Sequence, residues 1–260
     1  MVSTRHHPDD FPPPPPPTSP STTSRSPSAN GNSSSSSSSN NTTKKWVHTP
    51  STPITLWLVF SVPLVLWDAG YVLLRPHSMP GHRLHSPLWT PYALYGTIDY
   101  IYGWPAFNAR NGFTAAQTVL NLLESAAYLY YLAVVYRHGT SLTATGRGGQ
   151  PPRHPHKGVG WFLRETKVVA GRTGALALLV AYSASVMTVG KTVLYWLNEV
   201  FSGFENIGHN DLWTLVFFWI IPNGLWIVFP SYNIYILGAE IVAALETSVP
   251  RQRVGRPKSS

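Results

Sequence analysis

The chain has 260 residues, 43% hydrophobic and only 12% charged, with a net charge of +8 and no cysteine. The missing cysteines exclude disulfides and Cys-type metal sites, and the ten histidines do not group at zinc-ligand spacing on any helix, so neither a metal nor another cofactor is expected. The basic residues carry no interleaved aromatics and form no basic helix face, which argues against nucleic acid as a partner.

Residues 1–50 hold a proline run (Pro12 to Pro17), a serine run (Ser33 to Ser39) and almost nothing apolar. Such a segment cannot bury enough surface to offset the entropy of ordering, and it is expected to be a disordered tail. It has neither the apolar core of a signal peptide nor the pattern of a transit peptide. His154 and His156 lie in a Pro/Arg/Lys loop and are expected to be solvated.

Four segments are apolar over the roughly 20 residues that a helix needs to cross a hydrocarbon core. They are 54–74, 113–136, 174–197 and 212–237, the last continuing as an interfacial helix toward Leu245. The expected fold is therefore an all-α membrane protein, a bundle of four main transmembrane helices over 54–245, followed by a basic tail, 246–260. Pro63, Pro222 and Pro230 fall inside these spans, where neighbouring helices can satisfy the carbonyls they free.

Lys44 and Lys45 precede the first span, and Arg75, Arg83 and Arg110 follow it. Arg137, Arg147, Arg153, Lys157, Arg164, Lys167 and Arg172 separate the second and third spans, none separates the third and fourth, and Arg251, Arg253, Arg256 and Lys258 end the chain. Positive residues are retained on the cytoplasmic side, so this alternation predicts both termini in the cytosol. The ending Arg256-Pro257-Lys258-Ser259-Ser260 resembles a dibasic endoplasmic-reticulum retrieval signal.

Charges inside spans are costly and mark function by default. Asp68, Glu124 and Lys191 sit in the first, second and third spans, and Asn223 is the neutral counterpart in the fourth. Glu124 and Asn223 are each eleven residues from the expected outer end of their helix, ~16 Å deep, and Asp68 and Lys191 are six residues from theirs, ~9 Å. If they face inward they make one site. The competing assignments are that Asn223 bonds a neighbouring helix or a carbonyl freed by Pro222, that Lys191 snorkels outward, and that Asp68 pairs with Lys191. Trp226, one turn from Asn223, can offer its ring face to a cation. The first outer loop is dense in Trp and Tyr, as an interfacial belt requires, and places Asp99 among those rings at the expected cavity mouth.

The stretch from Ser185 to Pro230 resembles the emopamil-binding-protein sterol isomerases of the EXPERA-domain family. Their third helix has a "VLY" followed by an acidic residue, then "GF", a short "GH" loop, and "NALWLVLP" in the last helix. Val193, Leu194, Tyr195, Glu199, Gly203, Phe204, Asn223, Leu225, Trp226, Val228 and Pro230 fall on matching positions. "FTAAQTVLNLLES" is similar to the family's second helix, placing Glu124 on its essential glutamate, and "SVPLVLWD" places Asp68 on its first-helix acid. The resemblance implies a sterol-shaped intramembrane cavity and a sterol Δ8–Δ7 isomerisation in which Glu124 and Asp68 handle protons. It also implies a substrate-binding set of Asn223, Trp226, Tyr195, Asp99, Lys191 and Glu199. Leu64 stands where the isomerases have a histidine, Ala127 where they have a threonine and Lys191 where they have a tyrosine. The first helix also looks like the sigma-two-receptor branch, which binds sterols and cationic amphiphiles, so the alternative is a non-catalytic binder with a structural Asp68–Lys191 or Glu124–Lys191 pair. The expected partners are a sterol or other flat lipid and the bilayer itself; a homodimer is compatible with the sequence.

Overall fold

The computed structural model describes residues 46–141 and 158–248. In chain order they form β1 (Val47–His48), α1 (Thr52–Leu73), α2 (Pro91–Ile98), α3 (Trp104–Asn108), α4 (Phe113–His138), β2 (Thr140–Ser141), α5 (Val159–Arg164) and β3 (Lys167–Ala170). There follow α6 (Gly171–Phe201), α7 (Leu212–Leu215), a π-helical turn (Val216–Ile220) and α8 (Ile221–Ser248). Four rods are long and apolar enough to cross a membrane: α1, α4, α6 and the continuous Leu212–Thr247. These are the features of an integral membrane protein of the all-α class. The outward faces carry large apolar side chains such as Phe60, Leu123 and Val228, which suit lipid rather than water.

α1 packs on α4, α4 on α6 and α6 on the fourth rod, whereas α1 reaches the fourth rod through large side chains, Trp57 stacking on Phe229 (4.2 Å between centroids), with few close backbone approaches. At one end, the sheet end, β3 lies between β1 and β2 in antiparallel register, with Val47 opposite Ala170 and Thr140 opposite Val168. This small clip ties together the start of α1, the end of α4 and the start of α6. At the opposite end, the loop end, the chain between α1 and α4 is joined to the α6–α7 connection by Tyr100 N–H on Asn206 O (3.1 Å) and Asn210 Nδ2 on Ile98 O (2.7 Å). Gly96 and Gly103 meet backbone to backbone in this loop, and a Cβ on Gly103 would lie 2.2 Å from Gly96 O.

Two sequence boundaries are corrected. The segment assigned to a loose tail ends in structure, because residues 46–50 include β1, whose His48 is buried and bonded to Glu240 Oε2 (2.9 Å) and Tyr131 OH (3.1 Å). Residues 1–45, the 142–157 loop with His154 and His156, and 249–260 lie outside the described residues, and so do the disorder and most of the basic tail expected there. The third span runs to Phe201 instead of ending near 197, because Gly203 (φ +70°) closes it in a Schellman motif, with Phe204 N–H on Glu199 O (2.7 Å) and Gly203 N–H on Val200 O (3.3 Å). The fourth rod is helical to Ser248, so the continuation expected past 237 toward Leu245 is present.

The core of the sheet-end half is built from Ile54, Trp57, Leu58, Tyr131, Val135, Ala177, Ala181, Ala184 and Leu237. The alanines on α6 let neighbouring backbones approach closely. Lys167, counted above among the basic loop residues, is also buried here, its Nζ donating to Phe162 O and Glu165 O at 2.7 Å.

Candidate functional site

Toward the loop end the rods enclose a hollow of about 530 Å³. Each rod contributes a polar group to its wall: Asp68 from α1, Gln117 and Asn121 from α4, Lys191, Thr192 and Tyr195 from α6, and Asn223 from α8. α2 roofs it with Tyr92 and Tyr95, and Tyr102 closes the same side. Leu64, Val65, Leu94, Phe218, Pro222 and Trp226 supply the apolar wall.

The fold places these groups for local reasons. Gln117, Asn121 and Glu124 are spaced four and three apart, so they share one face of α4, and Thr188, Lys191, Thr192 and Tyr195 do the same on α6. The extra turn of α6 puts Lys191 ten residues from its loop end, against eleven for Glu124 on α4, so the two meet at one depth. Lys191 Nζ lies 3.0 Å from Glu124 Oε2 and also donates to Asn121 Oδ1. The π-helical turn directly before Pro222 changes the facing of α8. Asn223 Nδ2 donates back to Trp219 O (2.9 Å), leaving its carbonyl oxygen at the hollow, where the Tyr95 hydroxyl faces Asn223 and Tyr195.

Asp68 has no ion-pair partner among the described residues. It accepts a short hydrogen bond from Tyr92 OH and a longer one from Tyr102 OH (3.5 Å). Tyr92 is stacked on Tyr71 (3.7 Å between centroids), and Tyr71 OH donates to Tyr102 O (3.0 Å), so the phenols that face Asp68 are locked to α1. Burial first, and the nearby Asp68 carboxylate second, push the Tyr92 and Tyr102 phenols upward, so they remain donors at any physiological pH. Tyr95 is pushed up by burial and then by Asp99. Arg75 is near, but its guanidinium is occupied by Ile101 O (3.3 Å) and Thr114 Oγ1 (2.8 Å), and burial holds it below its ordinary value.

The hollow thus brings together Asp68, Lys191, Asn223, Trp226 and Tyr195 from the sequence-derived set. Glu124 lies just beyond the floor, buried against Lys191 and Thr188 Oγ1 (2.9 Å). Asp99 does not line the hollow. It is fully buried behind the wall, accepting from Tyr195 OH, from Trp219 Nε1 (2.9 Å) and from Ile101 N–H (3.2 Å), and burial against these hydrogen bonds leaves its carboxyl pushed up to about 6. Glu199 is likewise buried outside the hollow, taking Asn206 Nδ2 (2.8 Å) and Asn198 Nδ2 (3.2 Å), and it fastens the last turn of α6 to the loop. Trp226 is edge-on to Trp57 (5.3 Å), and Leu64 faces the hollow.

The chain matches no known family, curated protein or solved structure.

Sequence reasoning missed Tyr92, Tyr95, Tyr102, Gln117 and Asn121. For the first two a signal existed: Pro91 is suited to a helix's first turn and Tyr92 and Tyr95 are three apart, so the aromatic loop held a short helix with a tyrosine face. The resulting chamber has an apolar wall and presents, at one side, the Asp68 carboxylate ringed by phenols and, at another, the Lys191 ammonium paired with Glu124.

Proposed function

We propose that the chain is an intramembrane binding protein for a sterol or similarly flat lipid, including cationic amphiphiles, of the kind its resemblance to the emopamil-binding and sigma-two-receptor proteins implies. One observation carries this reading: a hollow of about 530 Å³ between four membrane-length rods, within the ~300–1,000 Å³ typical of small-molecule sites, with Asp68 as the carboxylate on its wall that lacks a cation. The ligand's apolar skeleton lies against Leu64, Val65, Phe218 and Trp226, and its hydroxyl or ammonium meets Asp68 and the tyrosines. Glu124 is engaged by Lys191, which supports a binder over a proton-transferring pair.

Sterol Δ8–Δ7 isomerisation is the second reading, favoured by Glu124 Oε1, which has no partner among the described residues and sits beside the floor. On that reading the glutamic acid protonates the alkene, Trp226 and the carboxylates stabilise the carbocation, and Asp68 removes the neighbouring proton. The basic residues Arg137, Arg164 and Arg172 lie toward the sheet end, which supports that end in the cytosol.

Equilibrium binding of a radiolabelled cationic amphiphile to the full chain in nanodiscs tests the first reading. Asp68→Asn should weaken binding about tenfold or more, given ~1.5–3 kcal/mol for a hydrogen bond to a charged group. No saturable binding of amphiphile or sterol overturns it. Expression in cells lacking their Δ8–Δ7 isomerase, followed by sterol profiling, tests the second: rescue that Glu124→Gln abolishes while binding persists establishes it, and absence of rescue by a folded chain removes it.

A further inference from the structure

Glu124 Oε1 and both side-chain atoms of Asn233 are buried without a hydrogen-bond partner among the described residues. An unmet buried polar atom costs roughly 1–3 kcal/mol, so such atoms call for a physical reason. Glu124 lines a void of about 10 Å³, close to the size of a single water, with Ser61, Ser125, Tyr128 and Thr188 on its polar side and Trp57, Val62, Val65, Trp226 and Pro230 on its apolar side. The other Glu124 oxygen starts a chain directed toward the sheet end: Thr188 Oγ1 at 2.9 Å, Tyr128 OH 3.0 Å beyond it, and Ser185 Oγ 3.3 Å beyond that.

A second chain rises from the sheet end. Glu240, whose side chain is 20% exposed, holds His48 Nδ1 at 2.9 Å, and His48 Nε2 meets Tyr131 OH at 3.1 Å. Tyr128 and Tyr131 are one turn apart on α4, ~4.5 Å along the axis. Asn233 is buried four residues from both Phe229 and Leu237, which pack in the same cluster as these two tyrosines, so helical spacing puts it on the core-facing side of α8.

We propose that these groups form a proton relay linking water at the sheet end to Glu124, with the Asn233 amide holding the water that spans the interval. A proton enters at the Glu240–His48 pair, and one leaves the Tyr128–Thr188 hydroxyls for the Glu124 carboxylate; hydroxyls and water each accept on one side and donate on the other. The net change is one proton moved from bulk water to Glu124. The groups facing Glu124 are Lys191 from α6 and Tyr128 from α4, with only Ser61 as a polar contribution from α1; those facing His48 are Tyr131 from α4 and Glu240 from α8. The relay stands whatever ligand fills the hollow.

The test is carbodiimide labelling of the full chain in vesicles of known orientation, with the pH on each side set independently. A hydrophobic carbodiimide reacts with a carboxyl only when it is protonated: the acid proton passes to a carbodiimide nitrogen as the carboxyl oxygen bonds its central carbon. Labelling at Glu124, read by peptide mass spectrometry, should rise about tenfold per pH unit of acidification at the sheet end alone, where the carboxyl is mostly ionised. Tyr131→Phe and Asn233→Leu should each remove that response. Asn233→Leu replaces two unmet polar atoms by an apolar group of like shape and should unfold at a temperature no lower than the parent, so its loss of response is not a loss of fold. Labelling that follows the loop-end pH, or that responds equally in the parent and in Asn233→Leu, overturns the relay.

Discussion

The same four rods pack shut in one half of the bundle and stand apart in the other. In the sheet-end half, Leu58 and Tyr131 fill the space between helices that three α6 alanines draw together. In the loop-end half the facing positions of α6 are Thr188, Lys191, Thr192 and Tyr195, and the gap is kept open by a collar: Tyr92, Tyr95 and Tyr102 from the loop, Asp99 bracing Tyr195 and Trp219, and Lys191 bridging to Glu124. The difference teaches that a cavity among transmembrane helices needs a rigid polar frame, because without one the walls would close to the density of the other half.

The frame is most vulnerable at its ion pair. Lys191→Met should destabilise the fold by ~3–5 kcal/mol by stranding Glu124 in the interior, seen as a lower unfolding temperature in detergent, while adding Glu124→Gln should recover most of the loss. An unchanged midpoint for Lys191→Met would remove the pair from the frame.

Side-chain truncation sharpens the contrast between halves. Leu58→Ala, in the packed half, should cost ~2–4 kcal/mol, because its neighbours cannot relax into the space; Leu64→Ala, on the wall of the hollow, should cost under about 1 kcal/mol, because space already adjoins it. Equal costs would mean that the hollow is not a standing feature of the fold.

The smallest effect concerns pH. Asp99 is raised by burial in the folded chain, so between its ordinary value near 3.8 and about 6 the folded state holds the extra proton. Stability from this group is therefore greater below that window and falls as pH rises through it, with ionised Asp99 disfavoured above. Asp99→Asn should flatten the dependence when unfolding midpoints of variant and parent are compared across that range; a parallel pair of curves would show that Asp99 does not titrate there.

Much of this was readable in the sequence, and for a physical reason: length and polarity decide what can lie in lipid. Four apolar windows and the cost of Asp68, Glu124, Lys191 and Asn223 marked both the rods and the walls of the hollow, or in the case of Glu124 the layer just behind them. Which of the two expected carboxylates, Asp68 or Glu124, pairs with Lys191 was not readable, because it depends on where α6 stops, and that is decided by Gly203 and by Glu199 being buried against Asn206. Asp99 and Glu199 carry the charge expected of ligand contacts, yet their neighbours turn them into braces, and tertiary position alone separates the two roles. The clip at the sheet end escaped notice because strands of two and four residues are too short to leave a periodic signal.

The fourth rod is 36 residues long, ~54 Å at ~1.5 Å per residue, against a hydrocarbon slab of ~30 Å. It therefore has to lean or overhang, and Glu240, which moors β1 through His48, lies toward its C-terminal end. A thicker or thinner bilayer changes how much of that mast is submerged, so lipid composition acts mechanically on the mooring that holds the first rod beside the last.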